Sequence, residues 1–148
     1  MKYALAGLAL FSLTLPVGAQ AQMAETTIFT DAQLKALGAG PLVSKGATVS
    51  LQRRVESGMV EVHDKLSDVL IAREGHVTLV TGGKVTGNSQ TAPGEWRGGE
   101  ITGGVSRDFG PGDVVWVPAG VPHLMILKPG ETFSYLAAKF PVPTEPAR

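Results

Sequence analysis

The chain has 148 residues, the size of one domain, and its 13 basic and 13 acidic residues give a formal net charge of zero. A neutral chain gives no electrostatic case for binding nucleic acid or an anionic membrane surface. The chain has no cysteine, which excludes disulfides and a lipid-modified cysteine anchor. The folded domain must therefore be held together by its core, by a metal ion or by a second subunit.

The first 21 residues have the pattern of a secretory signal peptide. Lys2 is the only charge before Glu25, and residues 4–17 are almost wholly apolar. Ala-Gln-Ala at 19–21 is the small-x-small pattern that signal peptidase reads. A membrane anchor is the weaker alternative, because spanning a bilayer takes about 20 apolar residues. We predict cleavage after Ala21, a periplasmic or secreted mature protein, and no stable membrane insertion after cleavage.

Residues 22–46 are predicted to form an N-terminal extension with one short helix. Thr30 or Asp31 can cap a helix over 32–37, which the following glycines end. From residue 47 the pattern changes to short runs of Val, Ile, Leu and Thr broken by Gly and Pro, which is typical of strands. We predict strands at 47–54, 58–64, 68–74, 76–81, 105–109, 113–117, 122–128 and 132–140. Such spacing indicates a single β-sandwich or barrel over 47–140, followed by a C-terminal tail at 141–148.

The segment 82–104 differs from the rest because it contains eight glycines. Glycine loses the most backbone freedom on folding, so this segment is costly to order. We expect a hairpin excursion or a lid over the mouth of the barrel. Its large side chain, Trp96, would either plug the mouth and touch a ligand or, as we favour, pin the segment to the surface.

The string G-D-V-V-W-V-P-A-G-V-P-H covers residues 112–123 and forms turn, buried strand, turn and strand start. It resembles the second motif of the cupin superfamily, G-x5-P-x-G-x2-H-x3-N. Gly112, Pro118, Gly120 and His123 match that motif, and Leu127 occupies its final Asn position. The resemblance covers about residues 47–140. It implies an all-β, double-stranded β-helix barrel of the jelly-roll type, as in small exported bacterial cupins.

The first cupin motif, G-x5-H-x-H-x3-4-E-x6-G, is matched in part. The best alignment reads Glu61-x-His63-x4-Asp68-x6-Gly75, without the leading glycine. Glu61 and Asp68 therefore stand where the family has His and Glu. A rival alignment makes His63 the first His and Lys65 the second, but it leaves the gap to Asp68 too short.

The resemblance implies a metal site inside the barrel, formed by His63, Asp68, His123 and Glu61. Strand alternation puts Glu61 and His63 on one face. Two carboxylates and two imidazoles inside an apolar barrel would be costly unpaired, and a divalent metal ion removes that cost. The mixed set favours Mn or Fe(II), with Zn or Ni less expected.

An arrangement without metal is also open. Glu61 and Asp68 would then pair with basic side chains, and the two histidines would hydrogen bond to the same carboxylates. The basic candidates are Lys65, Arg73 and Lys139.

Other residues receive structural interpretations. We read Arg53 and Arg54 as solvated residues at a strand end, His76 as structural or surface, and Trp116 as core or a subunit contact. The predicted outward strand faces are also apolar, and a sheet that is apolar on both sides needs cover on both. The N-terminal segment or a second subunit would provide that cover, and we expect a homodimer.

Two functions remain open on the sequence. The first is a metal-dependent enzyme acting on a small organic molecule by dioxygenase, isomerase or lyase chemistry. Glu61 would be the general base if it is not a ligand, and Tyr135 a proton donor near the mouth. The second is a non-catalytic barrel that binds or senses a small ligand without a functional metal. Fold alone cannot choose between them, because function resides in the site.

Overall fold

The computed structural model describes residues 27–43 and 48–142. The predicted signal peptide and the cleavage site after Ala21 lie outside these residues, so export stays a prediction. Within the described ranges, no helix combines the length and apolar character needed to cross a membrane.

The short N-terminal helix is present as α1 (Asp31–Leu37). Thr30 is its N-cap: the Thr30 hydroxyl accepts from the Gln33 backbone N–H at 3.3 Å, and the Gln33 side-chain oxygen accepts from the Thr30 N–H at 2.9 Å. This reciprocal capping box satisfies two N–H groups that the first helical turn would leave without partners. Asp31 also forms an ion pair with Arg73, which ties the helix to the barrel.

The described residues form thirteen strands, joined in antiparallel pairs. Their bounds are β1 (Gly40–Val43), β2 (Thr48–Arg54), β3 (Glu61–His63), β4 (Leu66–Glu74), β5 (Val77–Thr81), β6 (Lys84–Thr86), β7 (Ser89–Ala92), β8 (Glu95–Arg97), β9 (Glu100–Thr102), β10 (Val105–Phe109), β11 (Val114–Val117), β12 (His123–Ile126) and β13 (Phe133–Pro141). One sheet has the order β1-β2-β13-β4-β11, and the other has the order β10-β5-β12-β3-β8-β7. Strand β1, which lies within the predicted N-terminal extension, pairs with β2.

The core lies between the inner faces of these two sheets. Along β13 the alternate side chains Phe133, Tyr135 and Ala137 are buried. The Phe133 ring packs against Phe109 at a centroid distance of 5.4 Å and against Tyr135 at 5.2 Å. Burying each such aromatic or aliphatic side chain contributes roughly 1.5–3 kcal/mol. The two-sheet β-barrel expected from the sequence is confirmed.

The glycine-rich segment forms four short strands in two antiparallel pairs, which is the hairpin excursion that the sequence analysis gave as one alternative. Strands β7 and β8 extend the six-stranded sheet, while β6 and β9 pair as a separate ribbon. A Cβ at Gly104 would lie 2.8 Å from Ile101 and 2.9 Å from Val80. Ile101 of β9 therefore packs beside Val80 of β5. The ribbon covers part of the outer sheet face for which we expected the N-terminal segment or a second subunit as cover.

An apolar patch on the five-stranded sheet remains exposed in the single chain. Val114 and Trp116 are 64% and 56% exposed, and Ile71 and Phe140 are 37% and 42% exposed. The Trp116 and Phe140 rings lie 6.5 Å apart. The interpretation of Trp116 as a core residue is wrong, because alternation along β11 turns Val115 and Val117 toward the core and Trp116 to the outer face. The subunit contact and the homodimer stay predictions.

Candidate metal centre

Five polar side chains from both sheets meet inside the barrel. Glu61 and His63 lie on β3 and His123 on β12, where His123 stands opposite Glu61. Asp68 and Lys139 face them from the other sheet, as register partners on β4 and β13. His63, Asp68 and His123 are 2%, 3% and 5% exposed. The structure thus brings all four predicted ligands together and adds Lys139 to them.

The turn before β12 places His123 beside β3. Gly120 has φ of +79°, a conformation that glycine adopts without steric strain. Its backbone N–H donates to the carbonyl of His63 at 2.7 Å. This bond anchors the Pro-x-Gly turn of the second motif to the strand that carries the other histidine.

Both imidazoles are oriented by acceptors on the side away from the centre. His63 Nδ1 lies 2.6 Å from Glu95 Oε2, and His123 Nδ1 lies 3.2 Å from the Val121 carbonyl. When each Nδ1 carries the proton, each Nε2 presents a lone pair to the cavity. Metal-binding histidines in proteins are held in this way by an acceptor behind the ring.

Three of the predicted ligands can converge on one ion. Glu61, His63 and His123 each offer a ligand atom, and these atoms lie within 4.8 Å of one another. The two imidazole centroids are 5.3 Å apart. A set of two imidazole nitrogens and one carboxylate oxygen has the chemistry of a divalent-metal site with open coordination positions.

Asp68 has a different partner, the ammonium of Lys139. Lys139 Nζ donates to the two Asp68 carboxylate oxygens at 2.8 and 2.9 Å, and it lies 2.9 Å from His63 Nε2. Asp68 Oδ2 lies 3.4 Å from His63 Nε2 and 3.7 Å from His123 Nε2. The pairing of Asp68 with Lys139 matches the alternative without metal. An ion bound to His63 Nε2 would have to displace this ammonium.

Burial and charge act against each other at Asp68 and His63. Burial alone would raise the pKa of Asp68, but the contacts with His63 and Lys139 outweigh it and lower that pKa. Burial alone would lower the pKa of His63, yet Asp68 and Glu95 overcome burial and the repulsion from Lys139, so this pKa is raised. Asp68 therefore stays ionised near neutral pH.

Burial has the largest effect on the pKa values of His123 and Tyr135. It lowers the pKa of His123, against the opposing effects of the Val121 carbonyl and of Glu61. It raises the pKa of Tyr135, against the opposing effect of Arg54. His123 is therefore a neutral imidazole near pH 7, suited to ligation, and Tyr135 is a protonated phenol.

Glu61 lies between two guanidinium groups at the mouth of the cavity. Arg54 Nη2 is 3.2 Å from Glu61 Oε1, and Arg97 Nη2 is 3.3 Å from Oε2. Arg54 Nε also donates to the Tyr135 hydroxyl at 3.3 Å. The predicted catalytic candidates Glu61 and Tyr135 are thus joined through Arg54.

The interpretation of Arg54 as a solvated strand-end residue is wrong, whereas Arg53 is exposed as expected. Alternation along β2 puts Ser50, Gln52 and Arg54 on the inner face, where all three line the cavity. The period-2 pattern was the available signal. The strand predicted at 47–54 is present as β2, and its alternation directs the last residue, Arg54, inward.

The glycine-rich segment supplies two residues that the sequence did not point to. On β8, Glu95 and Arg97 reach the site, while Trp96 between them points to the other face. The Trp96 indole donates to the Asp64 carboxylate at 3.0 and 3.1 Å. Trp96 therefore pins the segment to the barrel, as favoured, and its neighbours approach the site.

The inner cavity has a volume of about 220 Å³. Its walls combine the charged groups with apolar side chains from both sheets, chiefly Met59, Leu70, Met125 and Ala137. A larger groove of about 430 Å³ lies elsewhere, between β10 and β11, and includes none of the clustered residues. The small cavity is the one that the candidate metal ligands line.

The second motif fits its expected place. Gly112 precedes β11, Pro118 and Gly120 form the turn, and His123 opens β12 with its ring inside a barrel of two antiparallel sheets. The chain has the cupin fold. Gly75, which ends the first motif, has φ of +75°, and a Cβ there would lie 1.9 Å from the Thr132 carbonyl oxygen. Only glycine fits that position of the cupin barrel.

Comparison with known proteins finds similarity among solved structures alone. No family model and no curated protein matches the chain. Among solved structures, it is similar to a cupin 2 conserved barrel domain protein from Salinispora arenicola, at 22% identity and a TM-score of 0.47, over 69% of this chain and 73% of that one. It is also similar to the DMSP lyase DddQ from Ruegeria pomeroyi, at 16% identity and a TM-score of 0.49, over 74% of this chain.

A further similar structure is Peruvianin-I, described as a cysteine peptidase from Thevetia peruviana latex, at 16% identity and a TM-score of 0.43, over 64% of this chain. The chain spans about half the length of two of these proteins, 48% of the lyase and 50% of Peruvianin-I.

Proposed function

We propose that this cupin binds a divalent metal ion through Glu61, His63 and His123 and acts on a small organic molecule in the inner cavity. One observation carries the proposal: Glu61, His63 and His123 each offer a ligand atom, these atoms lie within 4.8 Å of one another, and both Nδ1 atoms have acceptors beside them. Histidines that only fill space in a core do not require ring nitrogens directed at one point. The convergence therefore favours a ligand role for both His63 and His123.

The donor set limits which metal ions the site would favour. Two imidazoles with a carboxylate suit Mn or Fe(II), and Zn or Ni to a lesser extent. When bound, the ion would supply a Lewis acid or an oxygen-binding centre for dioxygenase, isomerase or lyase chemistry. Asp68 lies 3.7 Å from His123 Nε2 and would join as a fourth ligand only after parting from Lys139.

The chain's own residues would handle protons around the substrate. Tyr135 keeps its proton because burial raises its pKa, so its hydroxyl can donate to an oxyanion. Lys139, 27% exposed, carries an ammonium that can donate from the opposite wall. If Glu61 is not a ligand, its carboxylate at the mouth is the natural general base.

The second candidate function is a non-catalytic barrel that binds or senses a small ligand. The observation that favours it is Lys139 Nζ, which lies 2.9 Å from His63 Nε2 and contacts both Asp68 oxygens. In that arrangement the ammonium is the resident cation, and the site is charge-balanced without an ion.

Metal analysis of purified mature protein decides between the two functions. The comparison is among wild type, His63→Ala/His123→Ala, and the matched control His76→Ala, whose exposed imidazole lies outside the inner cavity. The metal proposal expects a stoichiometric ion in wild type and in the control, and its loss in the double variant. If the wild-type protein stays metal-free after loading with Mn and Fe(II), the metal proposal is contradicted and the non-catalytic, ligand-binding barrel is favoured.

We further propose that the chain is exported and that the mature form begins after Ala21. The support is the apolar run and the Ala-Gln-Ala sequence at 19–21. Intact mass measurement of the protein recovered from the periplasm or medium tests this. A full-length mass that retains Met1 would contradict cleavage.

A further inference from the structure

We propose that Arg54 and Arg97 form a subsite that binds the carboxylate of a small organic acid. This inference rests on the proposed function, since it names the class of molecule that the cavity takes. It is drawn from two guanidinium groups that already hold a carboxylate between them, that of Glu61.

The two arginines approach from opposite walls of the cavity. Arg54 comes from β2 of the five-stranded sheet and Arg97 from β8 of the six-stranded sheet. They reach Glu61 Oε1 and Oε2 at 3.2 and 3.3 Å. A guanidinium presents five N–H donors in a planar fork that matches a carboxylate. The pair is therefore a carboxylate clamp that the protein's own side chain occupies.

Other contacts hold both guanidinium groups in place. Arg54 Nε donates to the Tyr135 hydroxyl at 3.3 Å. Arg97 Nη1 donates to the Trp96 carbonyl at 3.0 Å, and Nη2 donates to Glu95 at 3.2 Å. Because these side chains are already ordered, a ligand loses less binding free energy to immobilising them.

The clamp stands where a ligand would enter. Arg54, Met59, Glu61 and Arg97 line both the inner cavity of about 220 Å³ and an outer groove of about 450 Å³. The two arginine side chains are 24% and 25% exposed. The inner volume is below the roughly 300–1,000 Å³ typical of pockets for drug-sized ligands. The site therefore fits a small acid.

The charges around the clamp balance only while a carboxylate occupies it. Three cations, Arg54, Arg97 and Lys139, face two carboxylates, Glu61 and Asp68. Lys139 is matched by Asp68, so the two arginines share Glu61. Glu95 also touches Arg97, but the same oxygen lies 2.6 Å from His63 Nδ1. The Glu95 carboxylate keeps its charge when His63 is neutral, so three cations balance three carboxylates. A ligand carboxylate would therefore have to replace Glu61 in the clamp instead of adding a further negative charge.

Metal binding and acid binding should reinforce each other through Glu61. If Glu61 turns to the proposed ion, the arginines lose their shared partner and a substrate carboxylate can take its place. Such coupling is reciprocal, so the acid should also tighten metal binding. Replacing Glu61 with Gln should open the clamp even without metal, which makes the subsite testable by itself.

The test is a ¹⁵N NMR titration of the mature protein that follows the arginine side-chain N–H signals. The probe is lactate, and lactamide is the neutral control of similar shape. In metal-free protein, Glu61→Gln should bind lactate roughly tenfold or more tightly than wild type, because the internal competitor has lost its charge. Lactamide should not bind measurably in either.

The arginines are tested in the Glu61→Gln background. Adding Arg54→Gln or Arg97→Gln should weaken lactate binding by roughly 10- to 100-fold. Adding Arg107→Gln, an exposed arginine of β10 outside the inner cavity, should leave it unchanged. Arg→Lys variants at the same positions keep the charge but lose the planar guanidinium contacts. Thermal unfolding of each variant shows whether weaker lactate binding comes from loss of folding instead.

Equal binding of lactate and lactamide, or lactate binding that ignores Arg54 and Arg97, would overturn the subsite. So would the absence of lactate binding to Glu61→Gln at millimolar concentrations. A parallel titration with Mn(II) separates this from the proposed function. If Mn(II) never binds but the arginine effects stand, the metal proposal fails alone; if Mn(II) binds and the arginine effects are absent, the subsite fails alone.

Discussion

Lys139 Nζ lies 2.8 and 2.9 Å from the two carboxylate oxygens of Asp68. The pair joins β13 to β4 at the centre of the barrel, and Asp68 is only 3% exposed. A carboxylate at this depth needs a cation beside it. Either the lysine or a metal ion can serve, and the two would compete for His63 Nε2.

Replacing Lys139 with Met should destabilise the metal-free protein, because Asp68 would remain buried without a cation. Removing one partner of a buried ion pair costs about 3 kcal/mol or more. Urea unfolding measures the loss, and Lys128→Met, at an exposed lysine, is the control. Mn(II) should bind the Lys139 variant more tightly than wild type and restore much of its stability. An unchanged unfolding free energy without metal would contradict the pairing.

The lowered pKa of Asp68 predicts an acid-sensitive stability. Because the folded-state pKa lies below the unfolded value, this contribution is fully present above the unfolded pKa and is lost as pH falls through the folded one. Unfolding free energies of metal-free protein between neutral pH and about pH 3 should fall less steeply for Asp68→Asn than for wild type. Asp108→Asn, at an exposed position of β10, is the control. Parallel curves for all three proteins would refute the assignment.

Glu95 should act on metal binding through His63. Its carboxylate lies 2.6 Å from His63 Nδ1, and losing such a supporting acceptor typically lowers metal affinity roughly 10- to 100-fold. Chelator competition should show this loss for Glu95→Ala and a smaller one for Glu95→Gln, whose amide oxygen can still accept. Glu100→Ala, exposed on β9, should match wild type. If Glu95→Ala keeps the metal affinity of the wild type, Glu95 does not orient the His63 imidazole for metal binding.

Gly75 and Gly130 offer a matched pair for the barrel's turns. Both have positive φ, +75° and +81°. A Cβ at Gly75 would lie 1.9 Å from the Thr132 carbonyl oxygen, whereas a Cβ at Gly130 meets nothing within 4 Å. Gly130→Ala should lose about 1–2 kcal/mol from left-handed backbone strain, and Gly75→Ala considerably more or its folding altogether. Equal losses in chemical unfolding would show that the close approach does not matter.

The sequence predicted the barrel because its signals are local. The Pro118 and Gly120 turn and the runs of β-branched residues depend on neighbours in the chain. The convergence of Glu61, His63, Asp68 and His123 was implied by the resemblance to the two cupin motifs, since strand alternation by itself only places Glu61 and His63 on one face. The turns and strands need no knowledge of which strands pair, whereas the meeting of the four side chains does.

Other parts of the site depend on long-range pairing. Lys139 meets Asp68 only because β13 lies beside β4 in a particular register. Glu95 and Arg97 reach the site only because β8 pairs with β3, and the glycine content suggested only a hairpin excursion or a lid there. The exposure of Trp116 likewise follows from its place on the outer face of the five-stranded sheet, because an apolar run does not reveal which face is covered.

Anomalous diffraction from crystals of the mature protein grown with Mn(II) tests the central claim most directly. The account predicts one strong anomalous peak bound by Glu61 and the Nε2 atoms of His63 and His123, with Lys139 Nζ moved away from His63. Crystals of His63→Ala/His123→Ala should show no peak there. A wild-type cavity without a peak, in which Lys139 still bridges Asp68 and His63 at saturating Mn(II), would contradict the metal site.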